Sequence, residues 1–324
     1  MTRIEALWES LRADAGSGPA AGDGWQLVRI GTEHPFDIYA GIDGGGAAVF
    51  AISVSVEPPA VDADTQALSY FTMPRAGGRS LMGLRLAADS LESVFGRLCQ
   101  DLADAAADIG SEAALVSLFR ARMQLWKRLF RDGSLGLLKK QEIRELVAEL
   151  LALGDHISAD PGRAMQAVAC WKNPGAAQDF VLPDRAVEVT SVPPGAVAVG
   201  IGSALQLDAA VPLALRVCVL RESVASDAGA LTLPLLVART AAMLAGVPGA
   251  AGMLHDRLLT AGYIEHEYYE SIAFVPLETR HYAVEGAFPR LTPATLPAGI
   301  ADATYTILLA SIGAFQIPEH PYAA

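Results

Sequence analysis

Apolar residues recur along this chain with two different periods, and the changes of period outline its elements. Residues 3–14 carry the spacing of an amphipathic helix. From Trp25 to about Leu86 apolar and polar positions alternate, as in Trp25-Gln26-Leu27-Val28-Arg29-Ile30 and Phe36-Asp37-Ile38-Tyr39-Ala40-Gly41. That alternation predicts strands of a small sheet, with Asp43-Gly44-Gly45-Gly46 as a hairpin turn. Residues 90–108, 111–131 and 138–154 return to helical spacing. Strand-like text follows from 162 to 225, with one short helix around Ala164–Ala169. Leu231–Leu244 and Met253–Ala261 read as helices, and strands are expected through Ala273–Pro276, His281–Val284 and Thr304–Leu309. The sum is an α/β (α+β) protein. Its parts are an N-terminal β-rich subdomain over 1–90, a helical segment over 91–134, a core over 135–225 and a C-terminal α/β subdomain over 226–324. In the core, strands near 178–182, 185–192, 197–201 and 213–220 should form one mixed sheet, with the helix near 140–153 covering one face.

Chemistry concentrates in Gln178-Asp179-Phe180-Val181-Leu182-Pro183-Asp184-Arg185-Ala186-Val187-Glu188-Val189-Thr190. Two short strands around Pro183-Asp184 make 182 face 185, and therefore 179 face 188. Pro183 cannot take the positive φ of a two-residue hairpin turn, which predicts a four-residue connection with the same pairing. Residues directly opposite in an antiparallel pair share a face, with Cβ atoms about 5 Å apart. Asp179 and Glu188 thus become a carboxylate pair, which implies a raised pKa or a divalent cation between them. Oxygen-only ligation of this kind suits Mg²⁺.

An Asp, a short spacer, then Glu-X-Lys on the next strand is the signature of PD-(D/E)XK phosphodiesterases, and this segment resembles it with Thr190 in the lysine position. The wider chain, over roughly residues 20–316, resembles a bacterial family of PD-(D/E)XK-type proteins catalogued as a domain of unknown function. The matching pieces are Gly41-Ile42-Asp43-Gly44-Gly45-Gly46, Glu149-Leu150-Leu151, Trp171, Pro174-Gly175, Asp179-Phe180, Glu188-Val189 and Gln206-Leu207. Gly262-Tyr263, Phe288-Pro289-Arg290-Leu291, Leu296-Pro297 and Gly299-Ile300 complete the set.

The resemblance implies a restriction-endonuclease-like core and a Mg²⁺- or Mn²⁺-dependent DNA endonuclease. It implies metal ligation by Asp179, Glu188 and the Val189 carbonyl, with Glu149 as a third acidic group on the preceding helix. Gln206 corresponds to a polar position near the scissile phosphate, and Lys172 is the lysine that could have migrated to replace the one missing at 190. Read from the residues alone, Glu149 is equally a surface helix residue, Lys172 an exposed loop lysine and Gln206 a helix-surface residue. The resemblance further implies DNA as substrate, and a helicase-like NTPase and a methyltransferase as partners in a restriction or phage-defence system. The alternative is a catalytically impaired relative acting as a structural or DNA-sensing subunit, which the neutral Thr190 hydroxyl and the chain's charge both favour.

That charge is −12 over 324 residues. Nucleic-acid affinity comes largely from cations that displace counterions on phosphate, so the total argues against a free-standing DNA-binding protein. The basic residues are uneven: Arg120, Arg122, Lys127, Arg128, Arg131, Lys139, Lys140 and Arg144 make up eight of the 24. At helical spacing Arg120, Lys127 and Arg131 fall near one face, which reads as a solvated face or as a strip facing phosphate or a partner. Cys99, Cys170 and Cys218 are widely separated in apolar surroundings and read as buried free thiols of a reducing compartment. No apolar run approaches the roughly 20 residues of a membrane span, and the first residues lack a signal peptide's apolar core, so a cytoplasmic location is expected. The histidines have no zinc spacing, and the glycine run after Asp43 lacks the Lys-Ser/Thr of a phosphate loop.

Overall fold

The computed structural model describes residues 2–15, 24–31, 35–60, 67–87, 91–129 and 137–318. Helices and sheets are both present, and the chain divides into two compact units, Met1–Leu137 and Leu138–Ala324. No helix among the described residues is long and apolar enough to cross a membrane.

The first unit starts with α1 (Arg3–Ala15) and continues through β1 (Gln26–Ile30), β2 (Asp37–Ile42), β3 (Ala48–Val54), β4 (Leu68–Pro74) and β5 (Ser80–Leu86). The strands form an antiparallel sheet in the order β1-β2-β3-β5-β4, and every residue of the central β3 is buried. Two helices follow, α2 (Glu92–Ala105) and α3 (Glu112–Leu129). Trp8 of α1 lies flat against Phe95 of α2, ring centroids 5.4 Å apart, and its indole N–H donates to the Val49 carbonyl at 3.3 Å. The expected glycine turn joins β2 to β3. Its Asp43 carboxylate accepts from the Gly45 and Ala47 amides at 2.8 and 2.9 Å and pairs with Arg85. Of the basic residues in this unit Arg120 is exposed and Arg122 is buried against Asp101 at 3.1 Å, while the Lys127 side chain and Arg131 lie outside what is described.

In the second unit α4 (Lys140–Ala159) and α5 (Ala164–Cys170) precede the strands β6 (Phe180–Val181), β7 (Ala186–Val192), β8 (Ala198–Ile201), β9 (Leu213–Ser223) and β10 (Leu231–Thr232). Then come α6 (Leu233–Met243), α7 (Ala250–Thr260), β11 (Ala273–Ala283), β12 (Tyr305–Leu308) and β13 (Gln316–Ile317). The main sheet runs β10-β11-β9-β7-β6, with β13 also paired to β11. It is mixed, because β7 and β9 are parallel while the other pairs are antiparallel. Helix α4 packs on β7, as the long amphipathic stretch before the strands predicted.

Two expectations are corrected. The strand near 197–201 forms, but it pairs with β12 in a separate two-stranded ribbon and does not join the main sheet. Strand β7 already has β6 along one edge and β9 along the other, and Pro193-Pro194-Gly195, with Gly195 at φ 76°, turns the chain away. The segments 273–276 and 281–284 are one strand, β11, interrupted by a bulge between Pro276 and Glu278. Pro276 has no amide to give the ladder, and a bulge is where a sheet tolerates that. The main sheet therefore draws strands from both sides of residue 225.

Alternate residues of β9 (Leu213, Leu215, Val217 and Val219) meet Ala186 and Val192 of β7, Val199 of β8, and Ile307 of β12 in one apolar core. Leu215 is fully buried at its centre. Leu215→Ala should lower stability by about 2–5 kcal/mol, the range for emptying such a site. Urea unfolding should show it as a lower midpoint at unchanged slope.

Candidate active site

Strand β6 is only two residues long, and that shortness creates the site. It pairs Phe180 with Val187 and Val181 with Ala186, and the Leu182 amide donates to the Arg185 carbonyl at 2.9 Å across the turn. Extending this register places Asp179 opposite Glu188. Strand β7 runs on to Val192, leaving amides on its edge where β6 has no residues to meet them. Carboxylates take their place. The Val189 amide donates to Asp179 Oδ2 at 2.9 Å, and the Ser191 amide to Glu145 Oε2 at 2.8 Å.

The chain entering β6 supplies the cation. Trp171, just past α5, bridges to Phe180, and the Lys172 amide donates to the Asp179 carbonyl at 2.8 Å. Lys172 has φ 47°, the one positive φ at a non-glycine among the described residues. Its ammonium lies 2.8 Å from Asp179 Oδ1 and 3.0 Å from Glu149 Oε1. The Trp171 indole N–H donates to the other oxygen of Glu149 at 3.0 Å. Glu145 and Glu149 stand one turn apart on α4, so a single helix face delivers both carboxyls to the edge of β7. Side-chain exposure is 7% for Glu149 and 9% for Asp179, but 29% for Lys172, which is the contact of this ion-pair group with solvent.

Asp179 and Glu149 thus hold the ammonium directly in a desolvated place, with Glu188 within its field and Glu145 beside Asp179 and Arg144. Burial, then the charge of Asp179, push Glu149 up to about 8, and the nearby Lys172 only partly opposes this. Burial and Asp179 likewise hold Glu188 well above the usual carboxylate range. Glu145 is pushed up to about 7 by burial, with the Ser191 hydrogen bonds working the other way. Burial works against the Lys172 ammonium, yet Glu149 and Asp179 outweigh it and keep the group protonated beyond its ordinary range. Salt bridging alone would pull Glu149 down. Burial and the charge of Asp179 outweigh that pairing, so Glu149 and Glu188 are pushed upward. Beneath the hairpin, the His156 ring stacks on Phe180 at 5.1 Å and is held neutral, pushed down to about 3 by burial, Arg185 and Arg216.

Of the residues singled out in the sequence, Asp179, Glu149, Lys172 and Glu188 come together. Val189 joins them through its amide. Glu149 is buried, not a surface residue, and Lys172 is paired, not a free loop lysine. Thr190 is buried on β7, two residues beyond Glu188 and on the same strand face. Gln206 is not in the cluster: it sits in a turn and its Oε1 accepts from the Gly202 and Ser203 amides at 2.6 and 3.2 Å. Its side chain is consumed in closing its own loop. Glu145 was not singled out, although its four-residue spacing from Glu149 was the available signal. Cys170 is half-buried, unlike the fully buried Cys99 and Cys218.

The donor set was weighed against a divalent cation. Among the described residues no three His, Cys, Asp or Glu side chains converge as a protein cage. One oxygen is nevertheless left over: Glu188 Oε2 is buried with no hydrogen-bond partner among those residues. Hard oxygens offered by one or two carboxylates, with water and phosphate for the rest, are the mode Mg²⁺ adopts. The residues fit that mode and not a cage.

A family model described as "Putative PD-(D/E)XK family member, (DUF4420)" matches residues 4–310 of the chain. No match was found among curated proteins or among solved structures.

The raised carboxyls make stability depend on pH with a definite sign. Between the ordinary carboxylate range and pH 7–8 the folded protein holds protons on Glu145 and Glu149 that the unfolded chain has lost. The contribution is complete below the unfolded values and is lost as pH rises through the folded ones. Unfolding free energy should fall from about pH 5 to pH 8, by up to about 1.4 kcal/mol per pH unit for each extra proton held. Glu149→Gln should flatten that slope in thermal or urea unfolding followed across the range.

Proposed function

Since the chain belongs to the PD-(D/E)XK-type family whose model spans residues 4–310, we propose that it is a Mg²⁺-dependent deoxyribonuclease in which Lys172 replaces the motif lysine. The observation that carries this reading is the Lys172 ammonium, 2.8 Å from Asp179 and 3.0 Å from Glu149 although it enters from the turn before β6. A lysine at 190 would have arrived from the strand itself, two residues beyond Glu188. Both routes bring an ammonium to the same carboxylates, and a side chain's function rests on where its tip lies.

In this reading Asp179 and Glu188 hold the cation, with the carbonyl of Val189 as a further oxygen. When bound, Mg²⁺ supplies a Lewis acid for the phosphodiester oxygens and lowers the pKa of water. The chain's own residues supply the rest. Glu149, accepting from the Trp171 indole and paired with Lys172, holds the ammonium beside Asp179. Lys172 would provide a fixed positive charge toward the negative oxygens of the pentacoordinate transition state, in a place where little water screens it. Trp171 and the α4 backbone hold Glu149 in place.

We further propose that the protein works in a complex, with a helicase-like NTPase and a methyltransferase of a bacterial restriction or phage-defence system. A net charge of −12 leaves DNA capture to such partners. In the second unit two members of the basic group are also already engaged, Lys140 with Glu222 and Arg144 with Ser191 and Gln141.

A second reading has its own observation. Both oxygens of Glu149 and both of Asp179 already have donors, so Lys172 satisfies the cluster without a metal. A catalytically impaired structural or DNA-sensing subunit would look like this.

Titration of Mg²⁺ or Mn²⁺ with DNA and the partner proteins separates the two. For a nuclease, Asp179→Ala, Glu188→Ala and Lys172→Ala should each reduce cleavage by at least about a hundredfold while leaving the chain folded. Thr190→Ala should leave cleavage within about threefold. Cleavage that survives Lys172→Ala removes the migrated lysine. The absence of both cleavage and calorimetric Mg²⁺ binding, with every partner present, leaves the impaired subunit.

A further inference from the structure

Lys172 is held in an unfavourable backbone conformation, and something must hold it there. A positive φ at a residue with a side chain costs on the order of 1 kcal/mol or more, and it persists only where the surroundings over-determine it. The amide of Lys172 is fixed by the Asp179 carbonyl at 2.8 Å. Its own carbonyl is fixed from α7, which packs on α5. Arg257, in the last turn of α7, donates from Nη1 to the Lys172 carbonyl at 2.9 Å and from Nη2 to the Ala169 carbonyl at 2.8 Å. Ala169 lies in the last turn of α5, where carbonyls have no intrahelical partner. One guanidinium fork therefore spans the end of the helix and the strained residue three positions on, and its rigid planar geometry fixes their separation.

We infer that Arg257 is a positioning residue for Lys172: its fork locks the chain from Ala169 to Lys172 in the left-handed turn that aims the ammonium between Glu149 and Asp179. This deepens the proposed function, since it rests on Lys172 as the cation of the site. Arg257 itself is not among the carboxylates and donates only to main-chain carbonyls in this contact. Two charge-assisted hydrogen bonds outweigh a strain of the size given above. With the fork removed, Lys172 can relax to negative φ, and the side chain then leaves the cluster with the backbone.

The test separates positioning from simple support of α5. The first measurement is the ¹H–¹⁵N signal of the Lys172 ammonium in the full chain, which persists only while that group is sheltered in its ion pairs. It should be present in the wild type and lost in Arg257→Met, while the backbone spectrum stays that of a folded protein. The second is urea unfolding of the wild type, K172M, R257M and the double variant. The two substitutions should be coupled by about fivefold or more in the unfolding equilibrium constant, as for residues sharing one interaction. An ammonium signal that survives R257M, or costs that simply add, overturns the inference. If R257M does not fold, R257Q, with one donor group that cannot span both carbonyls, is read by the same signal and the same cycle. Neither measurement uses cleavage, so a chain that cuts no DNA still passes or fails, and loss of the nuclease reading is told apart from loss of this one.

Discussion

One buried ammonium shared by Glu149 and Asp179 is the interaction on which the second unit's chemistry depends. A charge in a desolvated site is costly unless it is paired, and two acids drawn together without a cation repel. Here two carboxylates, Asp179 and Glu145, meet the edge of β7 because that edge needs acceptors. The Val189 and Ser191 amides lie beyond the end of β6, and Asp179 and Glu145 receive them. The short strand and the acidic cluster are therefore one feature. Lengthening β6 would satisfy the amides with backbone and displace the carboxylates, while removing Lys172 would leave Asp179 and Glu149 without the ammonium that pairs with them. Burial, and then the charge of Asp179, push Glu149 and Glu188 above the usual carboxylate range.

Much of this was legible in the sequence, and the part that was not has a physical reason. The register of the hairpin followed from Pro183-Asp184 and from alternation alone, because a period of two leaves no freedom once the turn is fixed. Hence Asp179 could be set against Glu188 without a structure. Helix α4 was legible from its spacing, and with it the possibility that Glu149 faces inward. The course of the chain at Lys172 was not legible. A lysine at positive φ contradicts local preference, and only tertiary contacts from Asp179 and Arg257, 85 residues away in sequence in the latter case, impose it. Gln206 failed for the opposite reason. Its neighbourhood looked like a motif, but local amides at Gly202 and Ser203 claimed its side chain. The strand at 198–201 was correctly a strand yet wrongly partnered, since pairing depends on which edges are already full.

Thr190 and Lys172 form a pair of facts best read together. A strand that carries glutamate and then lysine two residues on places both on the same face, and the lysine's charge is then bound to the strand's own geometry. When the cation comes from the preceding turn, as here, position 190 is released from that duty and can be a buried threonine. The arrangement moves the requirement elsewhere, because the turn residue must now adopt a conformation that a lysine disfavours. Glycine or asparagine would sit in that turn at lower backbone cost, so it is the pairing with Glu149 and Asp179 that keeps a lysine there. Stability alone is a weak explanation as well, since buried ion pairs seldom repay their desolvation against apolar replacements.

The proton content of the cluster links the two readings of the site through one equilibrium. On the proposed reading a divalent cation adds two positive charges beside Asp179 and Glu188, and it lowers the affinity of Glu149 and Glu188 for their protons. Cation binding must then release protons, and by linkage acid must weaken the cation. On that reading acid favours the protonated form, and rising pH presents more ionised oxygen to a cation. Glu188 Oε2, buried without a hydrogen-bond donor among the described residues, is where that difference would be largest, because no protein donor there would be displaced by the cation. A purely structural cluster would be expected to give that oxygen a donor, as it gives one to every oxygen of Asp179 and Glu149. On the proposed reading, that uneven satisfaction makes Glu188 Oε2 the oxygen at which the two readings differ.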